Sequence, residues 1–310
     1  MKIVALAGGV GGAKLVDGLA GVLSPEDLTV IVNTGDDFEH LGLYICPDLD
    51  TICYTLAGMA NPETGWGRIN ETWRTMENLK RLGGPSWFQL GEQDLATHLE
   101  RTRRIKEHQP LSQIVREFCR RWEIKQTVLP MSDQIVRTIV QTDQGNLDFQ
   151  EYFVQRECKP YVKGFIFFGI EKASIASGVI QAIDKSDAVV ICPSNPWVSI
   201  GPILALPGMK SKLQTKQVFA VSPIIGGQAV KGPAAKMYRE LGLQPTALAV
   251  AKHYIGLATG FILDKADAEY QGEIKGLKMW PFVTETLMKS PKDRQRLAKD
   301  VLNFIGSHLQ

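Results

Sequence analysis

The chain has 310 residues, of which 44% are hydrophobic and 22% charged, with a net charge of +2 at pH 7. This composition is typical of a globular protein with one large domain and an insertion, or with two domains that share a cleft, and it gives no case for nucleic acid as a partner. Five scattered cysteines without metal spacing, and the lack of a membrane-length apolar stretch, lead us to expect a cytoplasmic protein with no membrane partner.

The first apolar run, Ile3–Ala7, predicts a buried strand that ends in the glycine-rich stretch "GGVGGAK". Glycine allows a ligand to approach the main chain closely, and a helix that starts just beyond would direct backbone N–H groups at phosphate. The stretch matches neither the G-x-G-x-x-G fingerprint nor the P-loop pattern. We predict a phosphate-binding loop that includes Gly9, Gly11, Gly12 and Lys14. The alternative is a tight strand-to-helix turn packed against its sheet.

The second predicted strand, Leu28–Val32, leads into Asn33 and a group of aspartates. Asp36 lies a little more than about 20 residues beyond the glycines, where a dinucleotide-binding fold places an acid on a ribose hydroxyl. These carboxylates exceed what a ribose needs, and carboxylates with this spacing can hold Mg²⁺. For this group of aspartates taken together, Asp36, Asp37 and Asp50 among them, we predict metal or hydroxyl binding, with Asn33 as a substrate contact. For any single aspartate, a solvated loop or a capping role is the alternative.

Residues 65–125 show helical spacing in "NETWRTMENLKRLG" and "LSQIVREFCRRWEIK" and few strand signals. We predict that they form a helical insertion along the acceptor side of a cleft, while residues 1–64 and 126–310 form the nucleotide-binding core. Two β-rich runs, "QIVRTIVQT" and "LDFQEYFVQR", flank "DQGN" and predict a β-hairpin.

The remaining apolar runs alternate with helical patterns. Predicted strands are Ala188–Ile191, Val218–Val221 and Ala247–Ala251, and predicted helices are Ala173–Ile183 and Ala234–Leu241. Strand–helix alternation of this kind predicts an α/β fold, a Rossmann-like, doubly wound and mainly parallel sheet. Its ligands would lie beyond the carboxyl ends of the strands.

Polar loops follow two of these strands. Ser194 and Asn195 come after one of them, and Lys231 follows the next beside a glycine pair. All three are predicted substrate contacts. The alternative for Ser194 and Asn195 is an N-cap and a turn fixed by two prolines, and the alternative for Lys231 is a solvated cation. The chain closes with a predicted helix that has Ser290 as its cap and Pro291 at its first position. No Ser/His/Asp or Cys/His constellation can be assembled, so acids, amides, lysines and a metal remain, which suits phosphoryl transfer.

Several blocks taken together resemble one family. "LAGGVGGAKLVDGL", "VNTGDDFEHLGLYICPDLDTICYTLAG", "WFQLGEQDLATHLERT", "LPMSDQIVRT", "ICPSNPWVSIGPIL" and "SPIIGGQAVKGPAAKMY" look like the signature blocks of 2-phospho-L-lactate transferases of coenzyme F420 biosynthesis. The resemblance implies a Mg²⁺-dependent reaction of a homodimer. In it, the terminal hydroxyl of the deazaflavin alcohol Fo attacks the lactate-side phosphorus of lactyl-diphospho-guanosine, and GMP leaves.

The resemblance also implies roles for single residues. The glycine-rich loop and Lys14 would face the nucleotide diphosphate, and Ser194 and Asn195 would bind guanosine or phosphate. Asp50 would position the Fo hydroxyl, as its base or through a metal, and Asp36 and Asp37 would be the next catalytic residues, on the metal or the ribose. Gln89 would contact Fo. Two other functions stay open at this point. One is a regulator without turnover, related to the gluconeogenesis factor, which shares the opening loop. The other, an NAD-dependent dehydrogenase, is disfavoured by the failed fingerprint.

Overall fold

The computed structural model describes residues 1–309. The strands are β1 (Ile3–Ala7), β2 (Leu28–Val32), β3 (Phe38–His40), β4 (Leu43–Ile45), β5 (Thr127–Pro130), β6 (Arg137–Thr142), β7 (Gly145–Asp148), β8 (Val162–Phe168), β9 (Ala188–Ile191), β10 (Gln217–Val221), β11 (Ile224–Ile225), β12 (Gln228–Ala229), β13 (Gly260–Asp264) and β14 (Trp280–Thr284). The α-helices are α1 (Gly9–Ala20), α2 (Pro47–Leu56), α3 (Arg74–Arg81), α4 (Glu92–Lys106), α5 (Leu111–Arg121), α6 (Val179–Lys185), α7 (Gly201–Ala205), α8 (Met209–Leu213), α9 (Ala234–Glu240), α10 (Ala247–His253), α11 (Gln271–Gly276) and α12 (Pro291–Gly306).

The centre of the molecule is a seven-stranded sheet in the order β14-β13-β10-β9-β1-β2-β5, in which every pair is parallel. The chain first builds outward from β1 through β2 to β5, and later builds in the other direction from β9. The strand order therefore reverses between β1 and β9, and this is where a doubly wound sheet opens a crevice for its ligand. The predicted α/β, Rossmann-like fold is confirmed.

Helices cover both faces of this sheet and create two apolar cores. Along β1, Val4 and Leu6 face one core, while Ile3 and Ala5 face the other. Helices α6 to α11 contribute to the first core, and α1, α2, α5 and α12 contribute to the second. Because both faces are buried, the strands are continuous apolar runs, and this explains why four of the five predicted strands could be found from the sequence.

The segment 65–125 contains α3, α4 and α5. Helix α5 packs its apolar residues, among them Leu111 and Val115, into the second core. Around Met76 and Leu90 of this segment a separate small cluster forms against Phe38 and Ile45. The proposed division between core and insertion stays a prediction.

The predicted hairpin is present as β6 and β7, with Thr142 paired to Gly145 across a two-residue turn. Its second strand is shorter than predicted, because the chain leaves the strand after Asp148 and forms a single π-helical turn over Glu151–Gln155. Strand β8, which was not predicted, pairs with the other edge of β6 and completes a three-stranded antiparallel sheet.

Two other predictions are wrong in part or whole. The run Ala247–Ala251 is the beginning of helix α10, because Thr246 caps it by accepting a hydrogen bond from the Ala249 N–H, and alanine favours helix. The predicted helix Ala173–Ile183 begins only at Val179, after Gly178 with φ of 89°.

Helix α12 has the predicted start. The Ser290 hydroxyl accepts from the Asp293 N–H, the Asp293 carboxylate accepts in return from the Ser290 N–H, and Pro291 occupies the first turn. Across residues 1–309, none of the helices has both the length and the apolar character that crossing a membrane requires.

Candidate active site

A cavity of about 530 Å³ opens at the carboxyl ends of the central strands, where the strand order reverses. Its lining includes most of the residues predicted to bind or react. These are Gly9, Gly11, Lys14, Asp36, Asp50, Gln89, Ser194, Asn195 and Lys231. Gly12, Asn33 and Asp37 are not in the lining. Gly12 packs against Ser194 and Asn33 bonds Asp48, both of which are in the lining, whereas Asp37 is buried behind it. The structure thus gathers the predicted residues around a single cleft.

The glycine-rich loop packs closely against the loop that follows β9. A Cβ at Gly11 would lie 2.3 Å from the Pro193 carbonyl oxygen, and one at Gly12 would lie 2.6 Å from the Ser194 hydroxyl oxygen. The Ser194 hydroxyl accepts from the Gly8 N–H at 3.1 Å and donates to the Gly8 carbonyl at 2.8 Å. Only glycine allows this close contact between the two loops. The contact places the first turn of α1 at the cavity wall, and the N-terminus of a helix is a favourable position for an anion.

Asp48 is the acid that meets this loop. One carboxylate oxygen accepts from the Gly9 N–H at 2.7 Å, and the other accepts from the Asn33 side-chain amide at 2.9 Å. That amide also donates to the Val198 carbonyl, and its oxygen accepts from the Gly35 N–H. Asn33 is therefore a brace that holds Asp48, one layer behind the cavity wall. Asp48 was not among the predicted site residues, although it lies within the quoted block "PDLD".

Asp36 and Asp48 are both buried, and both line the cavity. Burial raises the pKa of Asp48 to about 6. Burial, and then the charge of Asp48, raise the pKa of Asp36 well above its ordinary value. Asp37 lies outside the lining, and burial raises its pKa to about 8. The cavity thus holds a pair of carboxylates that repel each other, and a cation between them would relieve the repulsion.

Asp50 faces a different partner. Both of its carboxylate oxygens accept hydrogen bonds from the guanidinium of Arg101, a residue of α4 that is only 1% exposed. His98 lies on the same helix, with Nδ1 3.7 Å from an Asp50 oxygen and Nε2 3.3 Å from an Asp94 oxygen. The Tyr54 hydroxyl donates to that Asp94 oxygen at 2.7 Å. Sequence reasoning missed Asp94 and Arg101, and assigned His98 no role.

Aromatic side chains form the wall on the side of α3 and α4. Trp87 and Phe88 line the cavity and pack against Phe38, at 6.0 Å and 4.9 Å between ring centroids. Gln89 is exposed beside them and donates to the Ser86 carbonyl at 2.7 Å. Trp66 also lines the cavity and is 47% exposed, so a flat apolar ligand could be covered here.

The predicted cations Lys14 and Lys231 both line the cavity. Lys14 donates to the Met288 carbonyl at 2.9 Å, and burial, followed by the charges of Arg294 and Lys231, lowers its pKa. Lys231 donates to the Thr64 carbonyl at 2.7 Å.

Asn195 has a structural bond of its own, because its side-chain oxygen accepts from the Trp197 N–H at 3.0 Å. Its amide nitrogen lies 3.3 Å from the Met237 sulfur, and the residue still lines the cavity. The N-cap alternative and a substrate contact are therefore compatible for this residue.

The parallel sheet and its cleft at the reversal of strand order define a Rossmann-like α/β protein. A solved structure described as a member of the UPF0052 family, from Bacillus halodurans, has this fold: it matches 97% of this chain and 99% of its own, with a TM-score of 0.64 at 15% identity. More specifically, the chain belongs to the family described as 2-phospho-L-lactate transferase CofD, which matches residues 3–299.

Named relatives span nearly the whole chain. A phosphoenolpyruvate transferase of Streptomyces coelicolor is 43% identical over 312 residues, and covers 98% of each chain. A 2-phospho-L-lactate transferase of Methanosarcina acetivorans is 39% identical over 305 residues, and covers 98% of this chain and 99% of its own. The resemblance seen in the sequence is confirmed, and the protein is a transferase.

Proposed function

We propose that this transferase moves a three-carbon phospho-acid from a guanosine diphosphate-linked donor to the hydroxyl of Fo, releasing GMP, in coenzyme F420 biosynthesis. The observation that carries the proposal is that one cavity is lined by three kinds of group. These are the start of α1 with Lys14, the carboxylates of Asp36 and Asp48, and the aromatic rings of Trp87 and Phe88. Family membership supports the reaction type.

In the proposed reaction, the Fo hydroxyl oxygen forms a bond to the phosphorus next to the acid, and the bond from that phosphorus to the bridging oxygen breaks. The electron pair leaves with GMP, and the hydroxyl proton is lost. Asp48, with a pKa of about 6, is largely ionised at neutral pH and is therefore available to a cation. We propose that the hydroxyl proton passes to solvent, because a loose phosphoryl-type transition state needs little help from a base.

Lys14 would hold the diphosphate by charge, and the first turn of α1 beyond Gly9, including Gly11, would face it with backbone N–H groups, while the Gly9 N–H itself donates to Asp48. We propose Ser194 and Asn195, which line the cavity beside this loop, for the guanosine side of the donor. Trp87 and Phe88 would cover the deazaflavin ring, and Gln89 at their edge would contact its polar groups.

Mg²⁺ fits the acids of this cleft. Asp36 has a buried carboxylate oxygen without a hydrogen-bond partner among residues 1–309, and it shares the cavity with Asp48. Mg²⁺ prefers one or two carboxylates together with water and substrate phosphates. We therefore propose Asp36 and Asp48 as the ligands. Asp37 lies outside the lining and Asp50 is paired with Arg101, so neither is included. When bound, the cation would offset charge on the diphosphate.

The relatives leave two candidates for the acid part of the donor. A phosphoenolpyruvate transferase of Streptomyces griseus is 44% identical over 283 residues, and others of that name are of similar identity. The relative from Methanosarcina acetivorans carries the phospholactate name. We therefore propose that phosphoenolpyruvyl and phospholactyl donors both be tested, with the guanosine diphosphate part in common.

The deciding experiment is turnover of purified protein with Mg²⁺, Fo and each donor, resolved by chromatography with mass detection. GMP and the corresponding Fo diester should appear together, and the donor that turns over faster identifies the three-carbon acid that the enzyme transfers. Tight binding of GDP without release of GMP from either donor would refute the proposal and favour a nucleotide-binding regulator.

Asp48→Asn tests the metal assignment. With GDP present, MgCl₂ at about 100 times its dissociation constant should stabilise the wild type by about 2.7 kcal/mol, and the variant should lose most of this. The matched control is Asp184→Asn, an exposed aspartate outside the cavity lining. Equal Mg²⁺ stabilisation in Asp48→Asn and the control would remove Asp48 from the ligand set.

A further inference from the structure

The interface between α4 and α2 is polar where an apolar contact would be usual. On α4, Asp94, His98 and Arg101 lie four and three residues apart, so they share one face of the helix. That face meets Asp50 and Tyr54, which lie one turn apart on α2. Five polar side chains therefore form one network, and Asp50 and Tyr54 are also part of the cavity wall.

Arg101 is the centre of this network. Its Nη1 donates to Asp50 at 3.1 Å and to the Tyr44 carbonyl at 3.4 Å, and lies 3.2 Å from His98 Nδ1. The His98 ring lies between the two acids, with Nδ1 beside this guanidinium and Nε2 3.3 Å from an Asp94 oxygen. Arg101 thus fixes the carboxylate of Asp50 and contacts the His98 ring.

A metal ion is the obvious alternative, because ligand atoms of Asp50, Asp94 and His98 lie within 4.8 Å of one another. The guanidinium of Arg101 already supplies the positive charge that a metal ion would bring. It donates to both Asp50 oxygens and lies beside His98 Nδ1. The cluster is therefore an ion-pair network with its own buried cation.

The network connects the two walls of the cleft. Asp48 lies two residues before Asp50 in the first turn of α2, and Gln89 lies three residues before α4 begins at Glu92. A rotation or shift of α4 against α2 would change the distance between the aromatic wall and the Asp36–Asp48 pair. Buried ion pairs contribute little net stability compared with apolar contacts, and one of their attested uses is to fix register.

We propose that Arg101 is a positioning residue for the transfer reaction: by clamping Asp50 of α2, it sets the acceptor wall of Trp87, Phe88 and Gln89, which leads into α4, at a fixed distance from Asp48 of α2. The inference rests on the proposed function for its kinetic part. Its structural part, the coupling of the two helices, is independent of the substrate.

The test compares Arg101→Met and Arg101→Lys with the control Arg103→Met. Arg103 lies on the same helix, its side chain is 54% exposed, and its partners within residues 1–309 are Glu100 and Glu107. Arg101→Met should lower kcat/KM for Fo by about tenfold to 100-fold, because small misplacements of reacting groups have effects of this size. The dissociation constant for GDP should stay within about twofold, since the nucleotide side is untouched, and Arg101→Lys should recover part of the activity.

Hydrogen exchange gives the second readout. In Arg101→Met, peptides that cover residues 47–56 and 86–98 should exchange faster, while those of β1 and β9 should not change. Acceptor kinetics and exchange equal to those of Arg103→Met would overturn the inference. So would equal losses of GDP and Fo binding, which indicate general destabilisation. If Arg101→Met does not fold, the same comparison is made with Arg101→Lys. If the wild type turns over neither donor, the proposed function is refuted, but the coupling of α2 and α4 is still tested by hydrogen exchange.

Discussion

Replacing Gly11 by alanine should damage the nucleotide side of the cleft through one contact. The new Cβ would lie 2.3 Å from the Pro193 carbonyl oxygen, whereas ordinary contact begins at 3.4 Å. The clashing atom belongs to the backbone, so no side chain can rotate away. The first turn of α1 and the loop after β9 must therefore separate by about 1 Å.

Two effects follow, and their sizes differ. Overpacking costs about 1–3 kcal/mol, and the better helix propensity of alanine returns about 1 kcal/mol, so the free energy of unfolding should fall by about 0–2 kcal/mol. Backbone N–H groups displaced from the phosphates should lose about 2 kcal/mol of hydrogen bonding to charge. The dissociation constant for GDP should therefore rise by about 30-fold.

Calorimetric titration with GDP and Mg²⁺ measures this effect, and a thermal melt shows that the variant is folded. Gly272→Ala is the matched control. Gly272 also lies early in a helix without a positive φ, and a Cβ there meets nothing within 4 Å. The control should bind GDP normally and be as stable as the wild type or slightly more so. A folded Gly11→Ala that binds GDP as tightly as the control would refute the close approach of the two loops.

Three further predictions concern the cleft, the pH response and the last helix. Lys14→Met should weaken GDP binding by about tenfold in titration, because it removes the cation proposed to face the diphosphate. It should not lower the melting temperature, because burial lowers the pKa of this lysine and so already disfavours its charged form in the folded protein. Burial, and then the charge of Lys210, lower the pKa of His253 to about 4. As the pH falls from about 6.5 to about 4, His253 is therefore protonated in the unfolded chain before it is protonated in the folded protein, and the free energy of unfolding falls in this pH range. His253→Phe keeps a ring against Trp197 but cannot take up a proton. Between pH 7 and pH 4.5, urea titrations should show that the free energy of unfolding falls by up to about 3 kcal/mol less in the variant than in the wild type. A difference in free energy of unfolding between the two proteins that is the same at both pH values would contradict this prediction. Ser290→Ala should reduce the free energy of unfolding by about 1 kcal/mol, since the cap of α12 is lost, and an unchanged urea midpoint would show that the cap contributes nothing.

The central sheet could be predicted because its strands are buried on both faces. Runs such as Ile3–Ala7 and Ala188–Ile191 are apolar throughout and end in glycine, proline or polar residues, which is the pattern of parallel strands. The same pattern misled at Ala247–Ala251, because a short apolar run is equally compatible with a buried helix. There the Thr246 cap and the alanines decide, and α10 contributes Val250 to the first core.

The acids show where sequence reasoning reaches its limit. Asp48 and Asp50 are two residues apart, so on a helix they point in directions about 200° apart. One therefore meets Gly9 and the cavity centre, and the other meets Arg101. A sequence shows that both are near the loop, but it cannot show which face of α2 is turned toward the glycines. That is decided by the packing of α2 on the sheet through Leu49 and Ile52.

Helix α4 explains why the network behind Asp50 was hidden. Its sequence is rich in charge, and such a helix ordinarily turns its charges to solvent and its few apolar residues inward. In the structure Leu99 is 57% exposed, while Arg101 is 1% exposed and His98 is buried with it. This inverted helix conflicts with the usual pattern, and conflicts of this kind concentrate at functional sites, where local rules are broken for a compensating gain. In α4 the gain that compensates for the exposed leucine is the pair of hydrogen bonds from Arg101 to Asp50. These bonds would be lost if α4 were rotated to bury Leu99.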